Sequence, residues 1–169
     1  MSLFECRCRH LYYLLEQSKF IPNTNRKEQL QDKKKKQAYS CPVGLKWNYL
    51  CRDYQLPKFD EVNGGDVYDY VCKIIDDYCK ENKIDFKFNA LTINKNFICK
   101  PHFDNGNLGE TLIFGVGDYK DGRLIKNINP TEAEYVDIHN KPHIFNATEI
   151  EHYNEDHSLT RYTIVCYWI

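Results

Sequence analysis

Four side chains in the second half of the sequence have the types and spacing of a metal-centred oxidation site. His102 and Asp104 are two apart, so at an extended strand end both side chains point the same way. An imidazole and a carboxylate joined by a second imidazole from far along the chain make a facial triad. Such a triad holds Fe(II) and leaves neighbouring positions open for a co-substrate and dioxygen (O2). His152 is the expected second imidazole. Arg161 follows it by nine residues (161 − 152), at the head of the apolar run Tyr-Thr-Ile-Val-Cys-Tyr-Trp-Ile. A buried arginine there can pair through two hydrogen bonds with a dicarboxylate that chelates the iron, as 2-oxoglutarate does.

A His-x-Asp pair alone is common, and His139, His143 and His157 are rival third ligands. His157 precedes Arg161 by only four residues, which leaves little room for a turn between adjacent strands. His139 and His143 flank Pro142 and read as turn residues. The fifty residues from His102 to His152 hold about four short strands with turns, enough to bring His152 back beside the first two ligands. On the last strand, period two places Arg161, Thr163 and Val165 on one face and Tyr162, Ile164 and Cys166 on the other. An inward arginine is costly without a partner, so it requires a permanent counter-charge or an anionic ligand, with the Thr163 hydroxyl beside it.

The elements that must position these groups follow from periodicity. Residues 3–17 carry a helical apolar stripe that includes Leu3, Phe4, Leu11, Leu14 and Leu15. Cys6, Cys8 and His10, with distant Cys41 and Cys51, match no common zinc spacing, and Cys6 and Cys8 fall on different faces of a helix. Residues 21–40 read as a connector. Its stretch 26–36 has six basic and two acidic residues, including Lys33, Lys34, Lys35 and Lys36: a solvated loop, or a contact to a phosphate backbone. Residues 41–62 suggest packed irregular structure, with Trp47 and Tyr54 as core anchors or base-stacking rings. Asn63-Gly64-Gly65 reads as a turn and Asp66 as the N-cap of a helix to about Asn82 with Val67, Val71, Ile74 and Ile75 on one face. Short strands are then expected at 86–93, 97–99, 111–116, 123–125, 134–138, 143–145 and 162–168, with a turn at Asn94-Lys95-Asn96. The expectation is one domain over 1–169, α+β but mainly β. A jelly-roll, or double-sheet barrel, over 86–169 is supported by helices and loops from 1–85.

Composition limits the alternatives. Hydrophobic content of 42% argues against a disordered chain, and a net charge of −1 means that a polyanion must be met by a local patch. No apolar run approaches the length of a membrane span, and residues 1–10 lack the apolar stretch of a secretory signal. No membrane and no obligate protein partner are expected. The eight cysteines are expected as thiols in an intracellular, reducing compartment, cytoplasm or nucleus.

Residues 88–124 resemble the TET/JBP branch of the 2-oxoglutarate oxygenases, which hydroxylate the 5-methyl group of pyrimidines in nucleic acid. The likeness is carried by Asn94-Lys95-Asn96, by His102-Phe103-Asp104-Asn105-Gly106-Asn107-Leu108-Gly109 and by Gly117-Asp118-Tyr119. It continues through Phe145, His152 and Arg161-Tyr162-Thr163, about the last half of the chain. The resemblance implies a double-stranded β-helix with Fe(II) on His102, Asp104 and His152. It implies 2-oxoglutarate on Arg161 and Thr163, Asn107 against the target base and Asn94 lining the site. Nucleic acid is the implied substrate, DNA ahead of RNA. Two departures stand out: Phe145 to His152 lacks a glycine soon after the phenylalanine, and Asp121 occupies the first position of what is often a Gly-Gly pair. Nothing resembles the large cysteine-rich DNA-gripping region of animal members. The alternatives are the same chemistry on a protein side chain, free nucleotide or other small molecule, or a non-catalytic binding module of this fold.

Overall fold

The structure is a computed structural model that describes residues 1–18, 39–44, 46–48, 52–55 and 65–169. Helix α1 (Leu3–Gln17) opens on a reciprocal capping box: Glu5 N–H donates to Ser2 Oγ at 3.1 Å, and Ser2 N–H donates to Glu5 Oε2 at 2.6 Å. Its buried stripe is Phe4, Cys8, Leu11 and Leu15, while Cys6 faces outward. Cys8 therefore serves as a small apolar core residue, its thiol pushed up to about 12 by burial, and belongs to no metal cluster among the described residues. Helix α2 (Gly65–Asn82) buries Val67, Val71, Ile74, Ile75 and Cys79. It starts at Gly65, so Asp66 lies inside the first turn rather than at the N-cap, a position near the positive helix end that also favours acids. The helix stops at Lys83 in the left-handed region (φ 56). Ile84 N–H reaches back to Cys79 O and Lys83 N–H to Lys80 O, a Schellman closure without glycine. No described helix is long and apolar enough to cross a membrane.

The strands are β1 (Tyr39–Gly44), β2 (Lys46–Asn48), β3 (Asp53–Gln55), β4 (Ala90–Lys95), β5 (Thr111–Gly117), β6 (Lys120–Asp121), β7 (Leu124–Asn129), β8 (Glu132–Val136), β9 (His143–Phe145), β10 (Glu151–Asn154), β11 (His157–Ser158) and β12 (Arg161–Tyr167). The major sheet runs β1-β4-β12-β5-β9, and β10-β7-β8 form a smaller one. One face of the major sheet receives α1 and α2, burying Val43, Leu91, Ile93, Leu112, Phe114, Val116, Tyr162, Ile164 and Cys166. The opposite face meets the minor sheet around Ile113, Leu124, Ile138 and Phe145, with Val165 packed against them. Between the two sheets a cavity remains. With both faces covered, β4 is buried from Ala90 to Asn94.

Several expected boundaries move. Tyr39–Gly44 is a strand rather than connector and irregular chain, and Lys46–Asn48 pairs with Asp53–Gln55 in the β2–β3 ladder. Pro42 conceals β1 in the sequence, but β1 is an edge of its sheet, where a missing N–H is tolerated. Phe86 and Phe88 stack on each other (6.1 Å between centroids) ahead of β4 instead of extending it. Strand β4 continues through Asn94 and Lys95, and only Asn96 (φ 50) turns. Phe97 to Cys99 forms no strand, although Phe97 and Ile98 are buried. The four lysines at 33–36, the Asn63-Gly64 turn and the side chains of Trp47 and Tyr54 lie outside the described residues.

On the helix side, Tyr162 Oη donates to Glu16 Oε1 at 2.5 Å, and Lys95 Nζ lies 5.1 Å from the Tyr162 ring centroid and 3.2 Å from the same carboxylate. This trio ties α1 to the strand that carries Arg161. Tyr162→Phe should therefore cost about 1–2 kcal/mol, lowering Tm by roughly 2–8 °C in thermal unfolding. An unchanged Tm would show that the bond contributes nothing net.

Candidate active site

His102 and His152 are paired before any metal is considered. His102 N–H donates to His152 O at 3.1 Å and His152 N–H donates to His102 O at 3.0 Å, an isolated antiparallel bridge that sets both imidazoles side by side. Asp104 N–H is fixed to Ala147 O at 2.9 Å. Asp104 then lies between the rings, with Oδ1 3.4 Å from His102 Nε2 and Oδ2 3.7 Å from His152 Nε2. Ligand atoms of the three residues all lie within 4.8 Å of one another.

The far nitrogen of each ring is also engaged. His102 Nδ1 is 2.7 Å from Lys100 O and His152 Nδ1 is 2.9 Å from Ile150 O. A carbonyl can only accept, so each Nδ1 carries the proton and each Nε2 presents a lone pair toward Asp104. Burial holds His152 below the ordinary imidazole range, which keeps it neutral as a ligand must be. The donor set, two Nε2 lone pairs and a carboxylate converging from one side, fits a divalent transition metal such as Fe(II).

The rivals lie elsewhere. His139 Nε2 contacts Gly117 O at 2.9 Å, and its ring lies tilted against Tyr119 with centroids 4.3 Å apart. His143, in β9 rather than in a turn, stacks on Phe145. His157 pairs with Asp121 in the short β11–β6 ladder.

A cavity of about 460 Å³ opens from the triad between the sheets, with Arg161, Thr163, Asn94, Asn107, Phe97 and Cys99 in its wall. The alternation expected for β12 holds: Arg161, Thr163 and Val165 face the cavity, and Tyr162, Ile164 and Cys166 face the helices. Asn94 lies opposite Thr163 in the β4–β12 register and donates from Nδ2 to Thr163 Oγ1 at 3.4 Å, which puts it at the Arg161 end. Asn96 brackets the arginine backbone, accepting from Arg161 N–H through Oδ1 at 2.9 Å and donating its own N–H to Arg161 O at 2.8 Å. Asn107 sits farther out, with its N–H on Asp104 O and its Nδ2 donating to Thr111 Oγ1 at 3.1 Å.

Arg161 is only 3% exposed, no carboxylate pairs with it among the described residues, and burial pulls its pKa down. Its Nε completes no hydrogen bond there, and neither do Asn94 Oδ1, Ser40 Oγ and Tyr119 Oη, all buried. Ser40, Asn94, Thr163 and Gly115 occupy one row across the major sheet. A Cβ on Gly115 would lie 2.2 Å from Tyr119 Oη, so that hydroxyl fills the place of a side chain at position 115. The guanidinium rests on the Tyr119 ring, 5.4 Å from its centroid. Of these residues Arg161 and Asn94 line the cavity, and the Arg161 guanidinium fits an anionic oxygen ligand that would accept from it.

Ser40 and Tyr119 were missed in the sequence. For Tyr119 the signal was Gly115, an inward strand position without a side chain, which marks a close approach by another group. The two departures have local explanations. Asp121 adopts the left-handed conformation (φ 63) ahead of Gly122 (φ 69), and Asp tolerates that region. Between Phe145 and His152, Asn146 Oδ1 accepts from Thr148 N–H and Oγ1, forming the turn that a glycine would otherwise permit.

No protein-family model and no curated protein matches the chain. Solved structures do. OsALKBH1 superposes with a TM-score of 0.60 at 12% identity, over 96% of this chain and 91% of that one. A 2OG-Fe(II) oxygenase family oxidoreductase from Burkholderia pseudomallei gives 0.60 at 10% identity, over 94% and 76%. A prolyl hydroxylase from Trichoplax adhaerens, solved with a peptide fragment of the hypoxia inducible factor oxygen degradation domain, gives 0.59 at 10%, over 98% and 78%. At these identities the likeness establishes the fold: this chain is a jelly-roll of the kind found in 2OG-Fe(II) oxygenases.

Proposed function

We propose that the chain is an Fe(II)- and 2-oxoglutarate-dependent dioxygenase of the TET/JBP type, acting on the 5-methyl group of a pyrimidine, methylcytosine or thymine, in nucleic acid. The observation that carries the chemistry is a buried Arg161, with no carboxylate partner among the described residues, opening into the same cavity as a His-Asp-His cluster. Fe(II) on His102, Asp104 and His152, with 2-oxoglutarate and dioxygen, would supply the oxidising power for an unactivated C–H bond. The chain's own residues do the rest. Arg161 and Thr163, with Asn94, hold the distal carboxylate, and Tyr119 keeps the guanidinium in place. Phe145, its ring 5.1 Å from that of His152, packs the metal side of the chamber against water.

For the substrate, the support is the wall farther out. Apart from the triad and Arg161, the described lining side chains carry amides, hydroxyls, a thiol, aromatic rings and aliphatic groups, and none belongs to a lysine, aspartate or glutamate. An uncharged planar base suits that lining better than a charged side chain. Asn107 can meet a base edge; with one Nδ2 hydrogen committed to Thr111, its Oδ1 is the less encumbered half, which favours the exocyclic amine of cytosine over the O4 acceptor of thymine. The same bond also stabilises the Asn107 loop, so the two roles need separating. Asn107→Ala should lower substrate-driven 2-oxoglutarate turnover about tenfold or more while substrate-free turnover persists. Equal loss of both would make Asn107 structural.

A target base must leave its stack to enter, so single-stranded or mismatched polynucleotides should react at least as readily as duplex. The deciding experiment is mass spectrometry of nucleosides from DNA and RNA incubated with the protein, Fe(II) and 2-oxoglutarate. No hydroxymethyl pyrimidine from any polynucleotide would remove the nucleic-acid reading. One observation favours a second reading, the same chemistry on a peptide. Lys95 is engaged with Glu16 and Tyr162 on the helix side, and Lys126, opposite His152 in the β10–β7 register, is buried and paired with Glu134, so neither offers its charge to a polyanion at the chamber mouth.

A further inference from the structure

The cavity wall also carries a nucleophile that the proposed reaction does not use, the thiol of Cys99. Its backbone N–H donates to Asn154 Oδ1 at 3.0 Å, which anchors it against β10, two residues past His152. It is half-buried and close enough to Arg161 for a thiolate to stabilise the guanidinium charge. Arg161 itself supplies the independent sign of a ligand: a 3% exposed cation, its Nε unbonded among the described residues, aimed into the chamber that Cys99 lines.

We propose that Cys99 is a modification site for small disulfides that bear a carboxylate. Arg161 attracts the carboxylate into the chamber and brings the reagent's S–S bond beside the Cys99 Sγ. The thiolate is the attacking species, its proton passing to solvent. A new S–S bond forms between Cys99 and one reagent sulfur as the reagent's own S–S bond breaks. The other half leaves as a thiolate with the electron pair, so Cys99 is oxidised and the reagent reduced without another oxidant. The adduct occupies the Arg161 end of a chamber of about 460 Å³. Modification and binding of a dicarboxylate there therefore exclude each other, which makes the chamber sensitive to thiol redox state. Only the identity of the competitor, 2-oxoglutarate, rests on the proposed function.

The test compares labelling rates of Cys99 with anionic dithiobis-nitrobenzoate and neutral dithiodipyridine, followed by peptide mass spectrometry. Exposed Cys6 on α1 is the internal reference. Relative to Cys6, Cys99 should prefer the anionic reagent by about tenfold or more, the scale of electrostatic focusing in a charged cleft. Arg161→Met should abolish the preference and Arg161→Lys should retain it, which separates lost charge from lost folding. Mn(II) with 2-oxoglutarate should protect Cys99 and leave Cys6 unprotected. Equal reagent preference at Cys99 and Cys6 in the parent protein would overturn the proposal. A retained preference without protection by 2-oxoglutarate would uphold the thiol site and count against the co-substrate assignment.

Discussion

Divalent metal should raise the Tm of the parent protein, and that rise should vanish in His102→Ala, Asp104→Ala and His152→Ala. A ligand that binds only the folded state at a hundred times its Kd contributes about 2.7 kcal/mol, which for a chain of this size is roughly 5–11 °C. Removing a direct ligand should weaken the site by more than the roughly 10–100-fold that losing an outer partner costs, enough to erase the shift. Mn(II), measured under argon, separates binding from turnover. The quantity to compare is the shift, because the substitutions differ in their own cost. His152 is buried against Phe145 and His102, so its alanine variant should be less stable even without metal. Asp104 is half-buried, so its variant should lose little beyond the metal effect. His157→Ala keeps the shift in this assignment. A shift that survives in His152→Ala and disappears in His157→Ala would mean that the distal ligand is misassigned.

What the sequence made legible tracks how local the determining physics is. The helices were readable because Phe4, Leu11 and Leu15, or Val67, Val71, Ile74 and Ile75, repeat at helical spacing within one segment. The inward face of β12 was readable for the same reason, with period two in place of 3.6. The pairing of His102 with His152 is long-range, and only residue types and chain order hinted at it. Strand β1 was missed because its membership depends on an edge position next to β4, and Pro42 argues locally against a strand. Phe86 and Phe88 misled in the other direction: their alternation is real, but it serves a stacked pair beneath α2, where Phe88 also meets Tyr68 at 6.4 Å. Tyr119, packed against Arg161, and Ser40, opposite Asn94, could not be placed behind the chamber wall from sequence. One reaches it through the gap at Gly115, and the other through the register of a strand that was itself missed. Asn94-Lys95-Asn96 shows how a short motif can combine several tasks: Asn94 lines the chamber, Lys95 holds the helix side and Asn96 fixes the backbone of Arg161.

Arg161→Met should weaken 2-oxoglutarate binding by about 30-fold or more and leave the metal-free protein at least as stable as the parent. The two effects have one origin. In the parent the guanidinium is desolvated against Tyr119 with no carboxylate beside it among the described residues, and Gly122 leaves room for it, a Cβ there lying 3.0 Å from Arg161 Nε. A buried cation without a carboxylate partner is a standing cost, and an apolar chain of similar length in its place should be neutral or stabilising. The 2-oxoglutarate carboxylate removes that cost when it binds. Truncating one partner of such a buried pair costs about 2–5 kcal/mol, or about 30-fold to several thousand-fold in Kd. Arg161→Lys should recover only part of this, because an ammonium cannot reproduce the planar two-bond fork. Calorimetric titration of the Mn(II)-loaded protein with 2-oxoglutarate, beside thermal unfolding of the metal-free form, measures both quantities. An unchanged Kd in Arg161→Met would refute the co-substrate role. A large loss of metal-free stability would show instead that Arg161 supports the fold, and that the energetic argument for a missing anion is wrong.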